Sequence, residues 1–227
     1  MATRLESIPF DPDRELLFRR LHLSPGSSEA EEFEALLSRV RDAARPKALY
    51  DVCFVQERTD ESVTINGVVF TSRVLRLNLE HVYRVFPYVA TCGVEFDRVT
   101  LSEESLLYTF WLDAIKEAAL MAANRHLKSH IEKTYQPGKL SSMNPGSSTQ
   151  DVWPIDQQHA LFSLFGDVEG GIGVTLHKSC LMSPNKSISG IFFPTELDYE
   201  NCKLCSREKC EGRRASYSPE LAKKLGK

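Results

Sequence analysis

The sequence predicts an α+β protein in which strands are served by one long helix and several shorter ones. Runs with the period-two alternation of strands and runs with the three-to-four spacing of helices both occur, without the regular strand-helix-strand rhythm of a doubly wound sheet. One helical pattern is far longer than the rest, and the strand-like runs are punctuated by Gly, Asn and Pro turn residues. The 227 residues are 42% hydrophobic and 26% charged, the make-up of a chain that can bury a sizeable core.

Residues 1–46 read as a helical arm. Ser27-Ser28-Glu29-Ala30-Glu31 supplies a cap and early acids, Phe33, Leu36, Leu37 and Val40 follow at helical spacing, and Pro46 ends it. Residues 47–200 read as the α+β core. Ala48 to Gln56 and Ser62 to Thr71 are rich in β-branched and aromatic residues, with the turn pair Asn66-Gly67 inside the second run. Pro87 to Val94 reads as a buried strand. From Glu103 to Tyr135, residues such as Leu107, Phe110, Trp111, Ala114, Ala118 and Met121 recur every three or four positions, which predicts the long helix, starting at Ser102 and closed by Pro137-Gly138. Ser141 to Ser148 is a loop of turn residues. A shorter helix is predicted from Pro154 to Phe165, with Gly166 at its end. Gly170 to Leu176 opens a strand, and Ser187 to Phe193 alternates small or polar with apolar as a strand does. Residues 201–227 form a Cys-rich tail.

The formal net charge of -3, with basic residues scattered apart from Arg213-Arg214 and Lys223-Lys224, argues against a nucleic-acid partner. There is no apolar run near the roughly 20 residues of a membrane span and no charged-then-apolar leader, so no membrane partner is expected and the expected location is the cytoplasm. In a reducing compartment closely spaced cysteines are metal ligands or redox groups more often than disulfides. Cys202, Cys205 and Cys210 are spaced by two and then four residues, so an irregular loop can turn their thiolates inward onto one centre. Zinc and cubane iron-sulfur clusters both take four ligands. Cys180 is the preferred fourth, with His177, Asp198 and Glu200 as other donors. The spacing alone does not separate an iron-sulfur cluster from structural zinc or from no metal. Cys53 and Cys92 fall in apolar stretches and read as small buried hydrophobes, and Trp111 and Trp153 as core. His159 and His177 have no nucleophile partner in the sequence.

Met143-Asn144-Pro145-Gly146-Ser147, Trp153-Pro154-Ile155, Gly171-Ile172-Gly173-Val174, Met182-Ser183-Pro184-Asn185-Lys186-Ser187 and Ser189-Gly190 occur in an order that resembles the activation (reactivation) domain of cobalamin-dependent methionine synthase. The resemblance covers roughly residues 85–200 and implies a methionine synthase activation domain-like fold built round a bent, mainly antiparallel sheet. It also implies an accessory role in the reductive reactivation of cobalamin held by a partner, a corrinoid-dependent methyltransferase such as methionine synthase. The ingredients are an electron from a donor protein and a methyl group from S-adenosylmethionine. The cofactor-facing residues it implies are Asn144, Pro145, Gly146, Ser147, Lys186 and Ser187. The chain departs from the pattern where the family carries an arginine before Pro-Gly and a tyrosine after it, since Ser142 and Ser147 stand there. Met121 stands where the long helix usually offers an acid, with Glu117 one turn earlier. Both departures weigh against S-adenosylmethionine binding. The alternatives are a non-catalytic, zinc-stabilised module that binds a corrinoid protein, and an S-adenosylmethionine-binding methyltransferase of other substrate.

Overall fold

The structure, a computed structural model, describes residues 2–99, 106–147, 152–196, 199, 201–205, 207, 209, 213 and 215–224. In chain order the elements are β1 (Thr3–Leu5), α1 (Arg14–Arg20), α2 (Ser28–Arg41), β2 (Lys47–Tyr50), β3 (Cys53–Arg58), β4 (Ser62–Ile65), β5 (Val68–Thr71), α3 (Arg73–Asn78), β6 (Arg84–Thr91) and α4 (Leu106–Tyr135). They continue with β7 (Leu140–Met143), α5 (Gln158–Ser163), α6 (Val168–Ile172), β8 (Thr175–Leu176), β9 (Met182–Ser183), β10 (Ser187–Pro194) and α7 (Pro219–Lys224). Short 3-10 turns at Val94–Arg98, Ile155–Gln157 and Asn201–Leu204 connect some of them. Among the described residues every strand pairing is antiparallel.

β6 is the middle of the sheet. β10 pairs along one edge, with Ser187 opposite Thr91 and Phe192 opposite Phe86, and β7 pairs with the outer edge of β10. The other edge of β6 is shared by β2 and β3, which keep a single register: Tyr50 opposite Tyr88, Cys53 opposite Val85. The interruption between them falls at Asp51-Val52, opposite Pro87. The Asp51 amide donates to the Pro87 carbonyl at 3.1 Å, but a proline has no N–H to return the second bond. The next amide, that of Val52, donates to the Asp51 carboxylate at 2.8 Å. Beyond this break β2 carries β1, while β3 leads into the β4 and β5 hairpin turned by Asn66-Gly67.

Alternation then decides which layer each side chain enters. Phe86, Tyr88 and Ala90 of β6 face α4 and α2, packing with Trp111, Ile115, Ala119 and Phe33. Val85, Ile191 and Phe193 face the opposite layer, with Trp153, Leu161, Tyr199 and Leu204. The buried stripe of α4 is Trp111, Ile115, Ala119, Ala123, Leu127 and Ile131, four residues apart each time. Leu106, Leu107 and Phe110, in the first turns of α4, are exposed at 88%, 44% and 58%. The apolar residues of this helix therefore occupy two faces, of which the sheet takes one.

Several expectations need adjustment: the arm expected to be helical also carries the strand β1, and Ser141 to Met143 of the expected loop belong to the strand β7. The predicted strand from Gly170 is instead helical up to Ile172, because the Asp167 carboxylate caps the Gly170 amide at 2.7 Å and Gly173 ends the turn at φ 76°. The predicted helix from Pro154 begins as a 3-10 turn and becomes α-helical at Gln158. The predicted start of the long helix at Ser102 lies outside the described residues. Among the described residues no helix is long and apolar enough to cross a membrane.

Candidate functional site

β7 ends at Met143, where the chain must leave the sheet, and Asn144-Pro145-Gly146-Ser147 is the turn that does it. The Ser147 amide donates to the Asn144 carbonyl at 3.2 Å, with Pro at the second position and Gly146 at φ 73° at the third. The Gly146 amide is held by the Trp153 carbonyl at 2.9 Å, and a Cβ on Gly146 would meet Ile155 Cδ1 at 2.4 Å. Asn144 is buried, and its Nδ2 donates to Tyr88 Oη and to the Ser189 carbonyl, both at 2.8 Å. Its carboxamide lies where a side chain at position 190 would go: a Cβ there would come within 2.3 Å of Asn144 Nδ2 and 2.5 Å of the Met143 carbonyl. Gly190 is thus required by Asn144.

Because the register of β7 on β10 runs only from Ile191 to Pro194, the first half of β10 extends beyond its partner. A cavity of about 620 Å³ opens beside it, lined by the Asn144 to Ser147 turn, by Ser187, Ile188 and Ser189, and by Gln158 and Ile155. Its size lies within the range of small-molecule sites. Gln158 is positioned by its neighbour: Gln157 accepts from the Thr71 amide at 2.9 Å and donates to the Thr71 carbonyl at 2.6 Å, fastening this segment to the edge of β5. The rim is the loop between β8 and β9, where the Cys180 amide donates to the His177 carbonyl at 2.9 Å and His177 Nε2 lies 2.8 Å from Ser183 Oγ. Cys180 sits at φ 64°, uncommon for a residue with a Cβ, and faces this cavity with His177 and Met182. Residues 148–151, which follow the turn, lie outside the described residues.

Of the residues expected to face a cofactor, Asn144, Pro145, Gly146, Ser147 and Ser187 come together around this one cavity. Lys186 is turned to α4, with Nζ 2.8 Å from Asp113 Oδ2 and 3.7 Å from Glu117 Oε2. Glu117 also accepts from Arg20 at 2.7 Å, so the acid one turn before Met121 is engaged by two cations. Ser142 lies in the β7 ladder opposite Phe192.

The expected metal ligands divide. Cys202 and Cys205 share one 3-10 turn, in which the Cys205 amide donates to the Cys202 carbonyl at 3.2 Å, and residues three apart in such a turn stand nearly above one another. Leu204 between them anchors the turn in the core, and the Arg213 guanidinium ties it down by donating to the carbonyls of Cys202 at 3.4 Å, Cys205 at 3.3 Å and Ala215 at 3.1 Å. Cys210, Asp198, Glu200 and Arg214 lie outside the described residues. Among the described residues no three His, Cys, Asp or Glu side chains gather to hold a metal. Two thiols on one turn fall short of the four ligands that zinc or a cubane cluster requires, so no chemistry is assigned to such a centre.

Cys53 and Cys92 are 1% and 0% exposed. Burial, reinforced by the Asp51 charge, pushes the Cys53 thiol up to about 12, and burial pushes Cys92 up to about 11. Both are neutral at physiological pH and belong to packing. The sequence pattern does not single out Gln158, since glutamine carries no signal at the head of a helix; Ser189 belongs to the motif that carries the resemblance but is not among the cofactor-facing residues it implies, although it follows Ser187 at the strand period, a spacing that puts both on one side of the strand.

No protein-family model matches the chain, and no curated protein matches it in sequence. Among solved structures it is similar to the crystal structure of the MetH reactivation domain bound to AdoHcy, with a TM-score of 0.62 and 13% identity, over 88% of this chain and 81% of that one. At that identity the likeness is one of fold, and it carries the α+β arrangement of antiparallel sheet and long helix across most of the chain.

Proposed function

We propose that the protein is an accessory to a corrinoid-dependent methyltransferase, methionine synthase being the leading case, and supports the reductive return of its inactive cob(II)alamin to the methylated state. The observation that carries this reading is the fold likeness over 88% of the chain to a MetH reactivation domain, combined with a ligand-sized cavity at the turn and strand where the sequence resemblance lies. The partner holds the cobalamin, a separate donor supplies one electron, and a methyl donor supplies the methyl group. In this reading the chain itself contributes a binding surface and a site. The Asn144 to Ser147 turn and the edge of β10 hold a small ligand, and Lys186, fixed by Asp113 and Glu117, keeps the start of β10 against α4.

The test is anaerobic. A methionine synthase lacking its own reactivation module is brought to the cob(II)alamin form and mixed with this protein, a low-potential reductant and S-adenosylmethionine, and the visible spectrum of the corrinoid is followed. Return of the methylated spectrum only when the protein is present supports the proposal. A corrinoid spectrum indifferent to the protein sinks it. Complex formation without spectral recovery selects the simpler reading of a non-catalytic module that binds a corrinoid protein.

A further inference from the structure

Two thiols on one turn are too few for a metal centre, but they are what a disulfide needs. Cys202 and Cys205 close the 3-10 turn Asn201–Leu204, in which the Cys205 amide donates to the Cys202 carbonyl at 3.2 Å. Three steps of about 2.0 Å rise make one full turn, so the two Cα atoms stand roughly 6 Å apart with their side chains on the same side. That separation lies inside the window of about 4.4–6.8 Å that a disulfide spans. Both residues are half-buried, so a small thiol-reactive molecule can reach them.

Three contacts hold the turn in place. Leu204 is buried in the core with Tyr199 and Ala222. The Ser218 amide donates to the Lys203 carbonyl at 2.9 Å, which pins the turn to the head of α7. The Arg213 guanidinium gathers the carbonyls of Cys202, Cys205 and Ala215. The backbone that carries the two thiols is therefore ordered before any bond forms between them, and ordering is a main cost of closing a short loop. The other described cysteines belong to different parts of the fold: Cys53 to the layer of Trp153, Cys92 to the layer of α4, and Cys180 to the loop between β8 and β9.

We propose that Cys202 and Cys205 form a thiol–disulfide exchange site whose partner is a low-molecular-weight disulfide of the glutathione type. One cysteine, as thiolate, attacks a sulfur of the glutathione disulfide, forming a mixed disulfide and releasing one glutathione. The other cysteine, as thiolate, attacks the protein sulfur of that mixed disulfide, closing the Cys202–Cys205 bond and releasing the second glutathione. Two electrons pass from the protein thiols to the small disulfide, and the two protons the thiols give up go to the departing glutathione thiolates. The site is separate from the cavity at the β7 turn and does not rest on the accessory role.

The whole protein, carrying Cys210→Ser so that only this pair is read in the tail, is equilibrated with glutathione buffers near neutral pH, trapped with an alkylating agent and mapped by mass. In oxidising buffer a Cys202–Cys205 disulfide should form and both alkylation sites should disappear. Cys202→Ser and Cys205→Ser in that background should each stop at a stable glutathione adduct on the cysteine that remains, whereas the protein with both should hold no adduct in the tail. In urea, where the turn is lost, half-closure of the pair should need a buffer about tenfold more oxidising, the worth of ordering roughly one residue in advance. Adducts on both cysteines without a bond between them, no reaction at either, or the same midpoint with and without urea would each overturn the inference. With Cys210 restored the bond should stay between Cys202 and Cys205, and a bond to Cys210 in its place would overturn the inference as well.

Discussion

Gly190 shows how one residue can be dictated by a side chain 46 positions away. With Asn144 Nδ2 and the Met143 carbonyl both inside the space of a Cβ, Gly190→Ala must push the turn off the strand. Overpacking of this kind typically costs about 1–3 kcal/mol, so its urea midpoint should fall and the cavity at the turn should distort with it. An unchanged midpoint would show that the turn yields freely. The two core cysteines give a second prediction. Their thiols are held above the ordinary value of 9.0 by burial, and Tyr50 is raised to about 12 by burial and its hydrogen bond with Tyr135. In the unfolded chain these groups ionise first as pH rises, so the stability they contribute is complete below about pH 9 and drains away between pH 9 and about 12. Thermal melts across that window should fall steadily. At neutral pH a thiol reagent should label Cys180 and Cys205, which are half-buried, and spare Cys53 and Cys92 until the protein unfolds.

At the scale of elements, most of the strands are legible in the sequence because their signals are local. The Asn66-Gly67 pair turns β4 into β5 as expected, and Ser187 to Phe193 forms the strand that its alternation predicts. The segment after Gly166 departs from its predicted strand because glycine lacks the side chain on which periodicity depends, and the Asp167 cap, a single carboxylate, tips Gly170 and Gly171 into a helical turn. The break at Asp51-Val52 is equally hidden, since its cause is a proline on a neighbouring strand. Short helices here depend on such caps. Ser72 Oγ accepts from the Leu75 amide at 2.9 Å at the head of α3 and donates to the Val152 carbonyl at 2.5 Å, and the residue is buried. Ser72→Ala removes a cap and strands a buried carbonyl, which should cost about 2 kcal/mol in equilibrium unfolding. A loss within error would mean that solvent reaches this junction.

For the whole molecule, the sheet and the cavity arise from one arrangement: β10 outruns β7, and the turn that ends β7 folds back over the strand it has left. The turn residues of this site can be read from the sequence because Pro-Gly marks them. Gln158 and the placement of Cys180 by the cavity cannot, since both depend on segments brought together across the sheet. The helix over the sheet has a consequence of its own. At about 1.5 Å per residue, the thirty residues of α4 reach roughly 45 Å, whereas the eight residues of β6 or β10 span roughly 27 Å. The helix must overhang its support, and Leu106, Leu107 and Phe110 ride on the projecting end. Charging that spar with Leu106→Glu and Phe110→Glu should leave the melting temperature within a degree or two, because both side chains are mostly exposed, and should raise the concentration at which the protein salts out.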